Sequence, residues 1–139
     1  MSLINLRRWF REPSAINAAQ TVAYIIAAAA GTLAAIGALA PAFVTTTIGP
    51  VIVTLVGVTL AVGGTIGALS VARGLWWLER IALIITGCGW AMLLVPAIYY
   101  AATTHTSAIW LILALVVTAL CDVFKRYRRI DWAYLDPSK

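Results

Sequence analysis

Apolar residues fill most of this chain in two long stretches that contain no charged side chain. No Asp, Glu, Lys or Arg occurs from Pro13 to Ala72 or from Ile81 to Cys121. A helix needs about 20 apolar residues to cross a bilayer core of about 30 Å, because each residue advances about 1.5 Å along the helix axis. Each stretch is therefore long enough for two membrane spans.

Turn-forming residues divide each stretch into two parts. The first contains "APAFVTTTIGP", with two prolines, a glycine and three threonines, and the second contains "TTHTS". Such clusters are typical of loops. The pattern predicts an all-α integral membrane protein whose transmembrane domain, residues 19–124, has four transmembrane helices in two antiparallel hairpins. The predicted spans are residues 19–40, 50–72, 80–101 and 106–124.

The positions of the basic residues predict the orientation. All ten Lys and Arg residues lie in the tails or around the junction of the second and third spans, and the other two loops have none. Because positive charge is retained in the cytoplasm, we expect a multi-pass protein of the inner (plasma) membrane with both termini cytoplasmic. Residues 1–18 form a basic amphipathic N-terminal segment, and residues 125–139 form a basic C-terminal tail. The predicted interfacial anchors are Arg7, Arg8, Arg11, Arg73, Trp76, Trp77, Arg80, Lys125, Arg126, Arg128 and Arg129.

A cleaved signal peptide is the competing interpretation of the first span. The segment "LRRWF" resembles a twin-arginine signal, and "ALA" at residues 38–40 resembles a cleavage site. The apolar run is long for a signal peptide, however, and Pro41 would occupy the first position after the cut. The sequence therefore favours an uncleaved first helix.

Composition supports a bilayer as the solvent of this chain. Of the 139 residues, 63% are hydrophobic and 11% are charged, and the mean hydropathy is +0.95. A soluble domain carries about a quarter charged residues. The net charge of +5 lies beside the predicted spans. Such a charge indicates anionic lipid head groups as partners and does not indicate nucleic acid.

Small residues recur at helical spacing in the first two predicted spans. They allow helix backbones to approach closely, which promotes helix association within a membrane. Two interpretations are open: the first span packs on the second within one chain, or a small-residue face joins copies of the chain into a homo-oligomer. The candidate helix-packing and self-association residues are Ala27, Ala30, Ala34, Gly57, Ala61, Gly63, Gly64 and Gly67.

Both basic tails leave alternatives open. The first tail has Leu3, Leu6 and Phe10 at helical spacing, which is typical of an interfacial helix but also compatible with a disordered basic anchor. The C-terminal tail either docks on anionic lipid or only stops the last span and sets its topology. Between the hairpins, Glu79 is a candidate partner for a basic tail residue.

Two cation–π contacts are also expected at this junction if residues 73–80 are helical. They pair Arg73 with Trp77 and Trp76 with Arg80 at i,i+4 spacing.

The predicted spans offer little chemistry. Apart from Arg80 and Asp122 at the span ends and the two cysteines, Cys88 and Cys121, they contain no ionisable residue of the kind that drives ion-coupled transport, which disfavours a small transporter or channel subunit. The single histidine, His105, lies in a predicted outer loop. Catalysis needs a base, a nucleophile or a metal cluster in one place. We therefore expect no enzyme activity, no cofactor and no metal site.

Four segments together resemble a known group of proteins: "WFREPSAI", "GLWWLERI", "RYRRI" and "LDP" on a four-span layout. This combination is similar to small membrane proteins of phages that infect actinobacteria, some of which are holins or holin-like. The resemblance implies a lysis role, in which copies self-associate in the host inner membrane and permeabilise or depolarise it. It supplies no functional residues. The alternative is a non-enzymatic scaffold, an exclusion or immunity factor, or an accessory subunit that binds a second membrane protein.

Overall fold

The computed structural model describes residues 14–38, 49–103 and 107–135. These residues form four helices: α1 (Ser14–Ala35), α2 (Pro50–Arg73), α3 (Trp76–Thr103) and α4 (Ser107–Leu135). Each helix packs against the next one along the chain. The predicted interfacial helix of the N-terminal segment and His105 lie outside the described residues.

Three of the helices are long and apolar enough to cross a membrane: α1 from Ile16, and α2 and α3 over their full lengths. Large aliphatic side chains stay exposed on all three, including Ile26 at 62%, Val51 at 70% and Val95 at 71%. Exposed aliphatic surface of this extent is costly in water and favourable in lipid. The prediction of an all-helical fold with several helices suited to a membrane is confirmed for the described residues, in which three helices are long and apolar enough to span it.

Neighbouring helices run antiparallel to each other. Gly31 of α1 lies against Gly57 of α2, and earlier in α1 the ring of Tyr24 lies against Gly67, later in α2. In the second hairpin, Arg80 near the start of α3 meets Asp131 near the end of α4. The α2–α3 turn and the C-terminal part of α4 therefore lie at the same end of the bundle.

The first helix begins and ends about five residues earlier than the span predicted from apolar residues. It begins at Ser14, because helical hydrogen bonding does not require apolar side chains. It ends at Ala35, because Gly37 adopts φ 75°, a left-handed conformation that closes the helix. The amide of Ala38 donates to the carbonyl of Leu33 at 2.9 Å, which completes the closing turn. The helix therefore ends before residue 40, where the apolar pattern placed the end of the span.

A tight turn separates α2 from α3. Pro50 occupies the first turn of α2, where its missing N–H group costs nothing. At the other end Gly74 adopts φ 67°, and the amide of Leu75 donates to the carbonyl of Ser70 at 2.9 Å. Arg73 and Trp77 therefore lie on different helices. The predicted contact between them required one continuous helix and does not apply.

The two helices of the second hairpin extend beyond their predicted spans. Helix α3 begins at Trp76, so that Glu79 lies inside the helix and not before it. Helix α4 continues from the apolar segment through the basic residues to Leu135. Charged residues limit the part of a helix that can lie within the lipid core, but they do not end the helix itself. This extension brings the charged ends of α3 and α4 side by side.

Candidate functional site

A buried ion pair joins α3 to α4. Glu79 lies in the first turn of α3 and is 5% exposed, and Arg126 lies on the inward face of α4 and is 8% exposed. The Arg126 Nε group donates to Glu79 Oε1 at 2.8 Å, and Nη2 donates to Oε2 at 3.3 Å. This forked arrangement is the strong form of an arginine–carboxylate pair. The expectation that Glu79 pairs with a basic residue near the C-terminus is confirmed.

A second polar group lies beside this pair and nearer the surface. The Arg80 Nη2 group donates to the hydroxyl of Tyr127 at 3.1 Å and also pairs with Asp131. The Arg80 guanidinium lies 5.2 Å from the centre of the Tyr127 ring, within cation–π range. The side chains of Arg80 and Asp131 are 28% and 21% exposed, so solvent screens this pair more than the Glu79 pair.

An aromatic side chain from the first hairpin reaches the same end of the bundle. Tyr24 of α1 is 3% exposed and forms an apolar cluster with Leu83 of α3 and Ile130 of α4. Its ring lies against Gly67 of α2, where any larger residue would collide with it. Tyr24 therefore connects all four helices close to the buried ion pair.

Glycines hold α1 against α2 by direct backbone contact. A Cβ atom added at Gly64 would lie 2.6 Å from the carbonyl oxygen of Tyr24, and one added at Gly57 would lie 2.7 Å from that of Gly31. Both distances are too short for a real side chain. Gly63 faces the other way and meets Thr86 of α3. Glycines on α2 thus serve two different helix contacts within one chain.

The structure brings together some of the predicted packing residues and leaves others apart. The glycines of α2 are all buried in contacts with α1 or α3, and Ala27 is also buried. Ala34 and Ala61 are partly exposed, and Ala30 is exposed. Packing of the first span on the second, one of the two interpretations of these residues, is observed.

The predicted anchors differ in how far the bundle buries them. Arg126 is buried against Glu79 and does not reach the surface, and Arg80 is partly buried. Arg7, Arg8 and Arg11 lie outside the described residues. The remaining anchors are exposed: Arg73, Trp76, Trp77, Lys125, Arg128 and Arg129. We call the end of the bundle that carries the α2–α3 turn and residues 125–129 the basic end.

Sequence reasoning overlooked Tyr24 and Gly31. Tyr24 is the only aromatic residue in α1, and Gly31 is the only glycine in that helix. Two signals in the sequence could have indicated these packing positions: a single aromatic residue among small ones, and a glycine four residues after Ala27. Neither signal identifies the partner helix, because the contacts join positions about 26 to 43 residues apart.

No group of three or more His, Cys, Asp or Glu residues among the described residues is placed to hold a metal ion. Cys88 and Cys121 are free and exposed. Glu79 is the one buried carboxylate among the residues that the structure describes, and Arg126 neutralises it. What this arrangement provides is a connection between helices at the basic end.

The chain matches no family model, no curated protein and no solved structure. The case for its function therefore depends on the residues and contacts described above.

Proposed function

We propose that this chain is a holin-like protein that crosses a bacterial inner membrane four times, self-associates there and depolarises the membrane during phage lysis. The observation that carries the proposal is the outer surface of the bundle. The ion pairs of the described residues join helices α3 and α4 of the same chain. The exposed faces of the described helices carry large aliphatic side chains, among them Val22, Ile26, Val95 and Leu111. Lipid or a second copy is the natural cover for such faces.

The fourth span is part of this proposal. Residues 107–121 of α4 contain no charge, and Trp110 and Leu115 on this segment are 58% and 61% exposed. Because α4 runs antiparallel to α3, it returns across the membrane that α3 has crossed. The basic end then lies in the cytoplasm together with both termini, in accord with the distribution of Lys and Arg.

Inducible expression in a bacterial host tests the lysis role. We expect the membrane potential to collapse abruptly once the inserted protein has accumulated, followed by a fall in culture density. Gly64→Leu, produced at the same level, is the matched control, because it removes the close contact of α1 with α2 and adds no charge to the helix. This variant should leave the potential intact. Prolonged accumulation of the inserted wild-type protein at normal potential would refute the proposal.

One observation favours a second candidate, a membrane scaffold or accessory subunit that binds a different membrane protein. Gly57, Gly63, Gly64 and Gly67 are all used for contacts within the chain, so these positions are not free to join copies. Crosslinking in intact membranes separates the two candidates. A ladder of homo-oligomers supports self-association, and a single heteromeric product supports the scaffold.

A further inference from the structure

The outward face of α4 changes character along its length. Its exposed residues are apolar at Trp110, Leu111 and Val117, which are 58%, 65% and 43% exposed. Further along the same face, exposed Phe124 is followed by exposed Lys125 and Arg128. The switch from apolar to basic residues therefore occurs within about one helical turn. An outward face that changes in this way matches the boundary between acyl chains and head groups.

The basic residues of α4 have two separate uses. Arg126 points inward and is held by Glu79. Lys125 and Arg128 are displaced around the helix by roughly 100° or more from Arg126 and point outward, since successive residues are separated by about 100°. Among the described residues, neither of these two side chains forms an ion pair. Their charge is therefore available to a partner outside the chain.

Aromatic residues at the same end match this placement. Trp77, close to Glu79 in the first turn of α3, is 53% exposed, and Phe124 on α4 is 66% exposed. Exposed aromatic rings beside exposed cations are typical of side chains that lie at the level of lipid head groups. A soluble acidic partner would explain the basic residues but not the apolar face that leads into them.

We propose that Phe124, Lys125 and Arg128 form a docking surface for the phosphate head groups of anionic phospholipids in the leaflet at the basic end. The ring of Phe124 packs against the upper acyl chain, and the two cations bind the phosphate. This inference depends on the membrane insertion in the proposed function, but it does not depend on depolarisation or lysis. It also assigns the lipid contact to two cations of α4 and excludes Arg126, whose charge Glu79 already neutralises.

Lipid titration of the purified full-length protein in mild detergent, followed by native mass spectrometry, tests this surface. The probes are dioleoyl phosphatidylglycerol and dioleoyl phosphatidylcholine. The wild-type protein should prefer phosphatidylglycerol. The double variant Lys125→Gln/Arg128→Gln should lose about tenfold or more in affinity for it, since each basic residue near a membrane surface contributes roughly fivefold.

Two control variants separate charge from shape and folding. The exchange Lys125→Arg/Arg128→Lys keeps both charges and should keep the preference. Asp122→Asn removes an exposed negative charge one turn before Lys125 and should bind phosphatidylglycerol at least as tightly as the wild-type protein. Equal affinity for the two lipids, an unchanged preference in the double Gln variant, or displacement of the lipid by equimolar inorganic phosphate would overturn the proposal. Normal lipid preference without depolarisation in cells would refute the lysis role alone.

Discussion

The two helices of the first hairpin and the two helices of the second hairpin pack against each other in opposite ways. Helices α1 and α2 meet through Gly31, Gly57 and Gly64, with backbone against backbone and no charged group between them. Helices α3 and α4 meet through the buried Glu79–Arg126 pair and its neighbours. The α1–α2 interface depends on the absence of side chains at the glycines. The α3–α4 interface depends on two long side chains of opposite charge.

This difference determines what each hairpin tolerates. A glycine interface resists any added atom, because the opposing backbone cannot move aside. A buried ion pair resists the loss of either charge, because the remaining charge is left without a partner in a poorly solvated site. The hairpins should therefore fail under different substitutions.

The largest effect is expected at the ion pair. Arg126→Met leaves Glu79 buried without its partner and should lower the free energy of unfolding by about 3–5 kcal/mol. Replacing both residues, as in Glu79→Met/Arg126→Met, should restore most of that loss, because no charge then remains buried. Unfolding by dodecyl sulfate in mixed micelles, followed by circular dichroism, measures both values. If the double variant is as unstable as the single one, the loss arises from packing and not from charge.

A smaller effect is expected at the glycine interface. Gly64→Ala places a methyl group against backbone atoms of Ala28 and Tyr24 and should cost about 1–3 kcal/mol. Gly87→Ala is the matched control, since its methyl group would meet only a Val123 side-chain carbon at 3.3 Å. This control should change stability by less than about 1 kcal/mol. The same unfolding assay compares the two, and equal losses would argue against a close α1–α2 crossing.

The smallest effect is expected at the outer polar group. Tyr127→Phe removes the hydroxyl that accepts a hydrogen bond from Arg80 but keeps the ring under the guanidinium. The loss should be about 0.5–1.5 kcal/mol. Tyr127→Leu, which also removes the ring, should cost more. Identical stability of the two variants would show that the ring contributes nothing beyond the hydrogen bond.

Sequence patterns predicted the helices more closely than the contacts between them. The four helices, the α2 boundaries and the importance of the α2 glycines follow from apolar runs and local spacing. The end of α1 at Gly37 and the start of α3 at Trp76 did not, because the predicted spans were bounded by charge and hydropathy and not by backbone conformation. The choice of Arg126 among the basic residues depends on which face of α4 meets α3. Local spacing does not contain that information.

The account depends most directly on the second hairpin crossing the membrane twice with the basic end in the cytoplasm. Single cysteines at Leu75, Thr103 and Ser138, in a chain with Cys88 and Cys121 replaced by serine, test this with a membrane-impermeant maleimide. In cells whose outer barrier alone has been opened, Thr103→Cys should be labelled, whereas Leu75→Cys and Ser138→Cys should be labelled only after the inner membrane is permeabilised. Labelling of Ser138→Cys together with Thr103→Cys would show that α4 does not cross, and labelling of Leu75→Cys would show that the orientation is reversed.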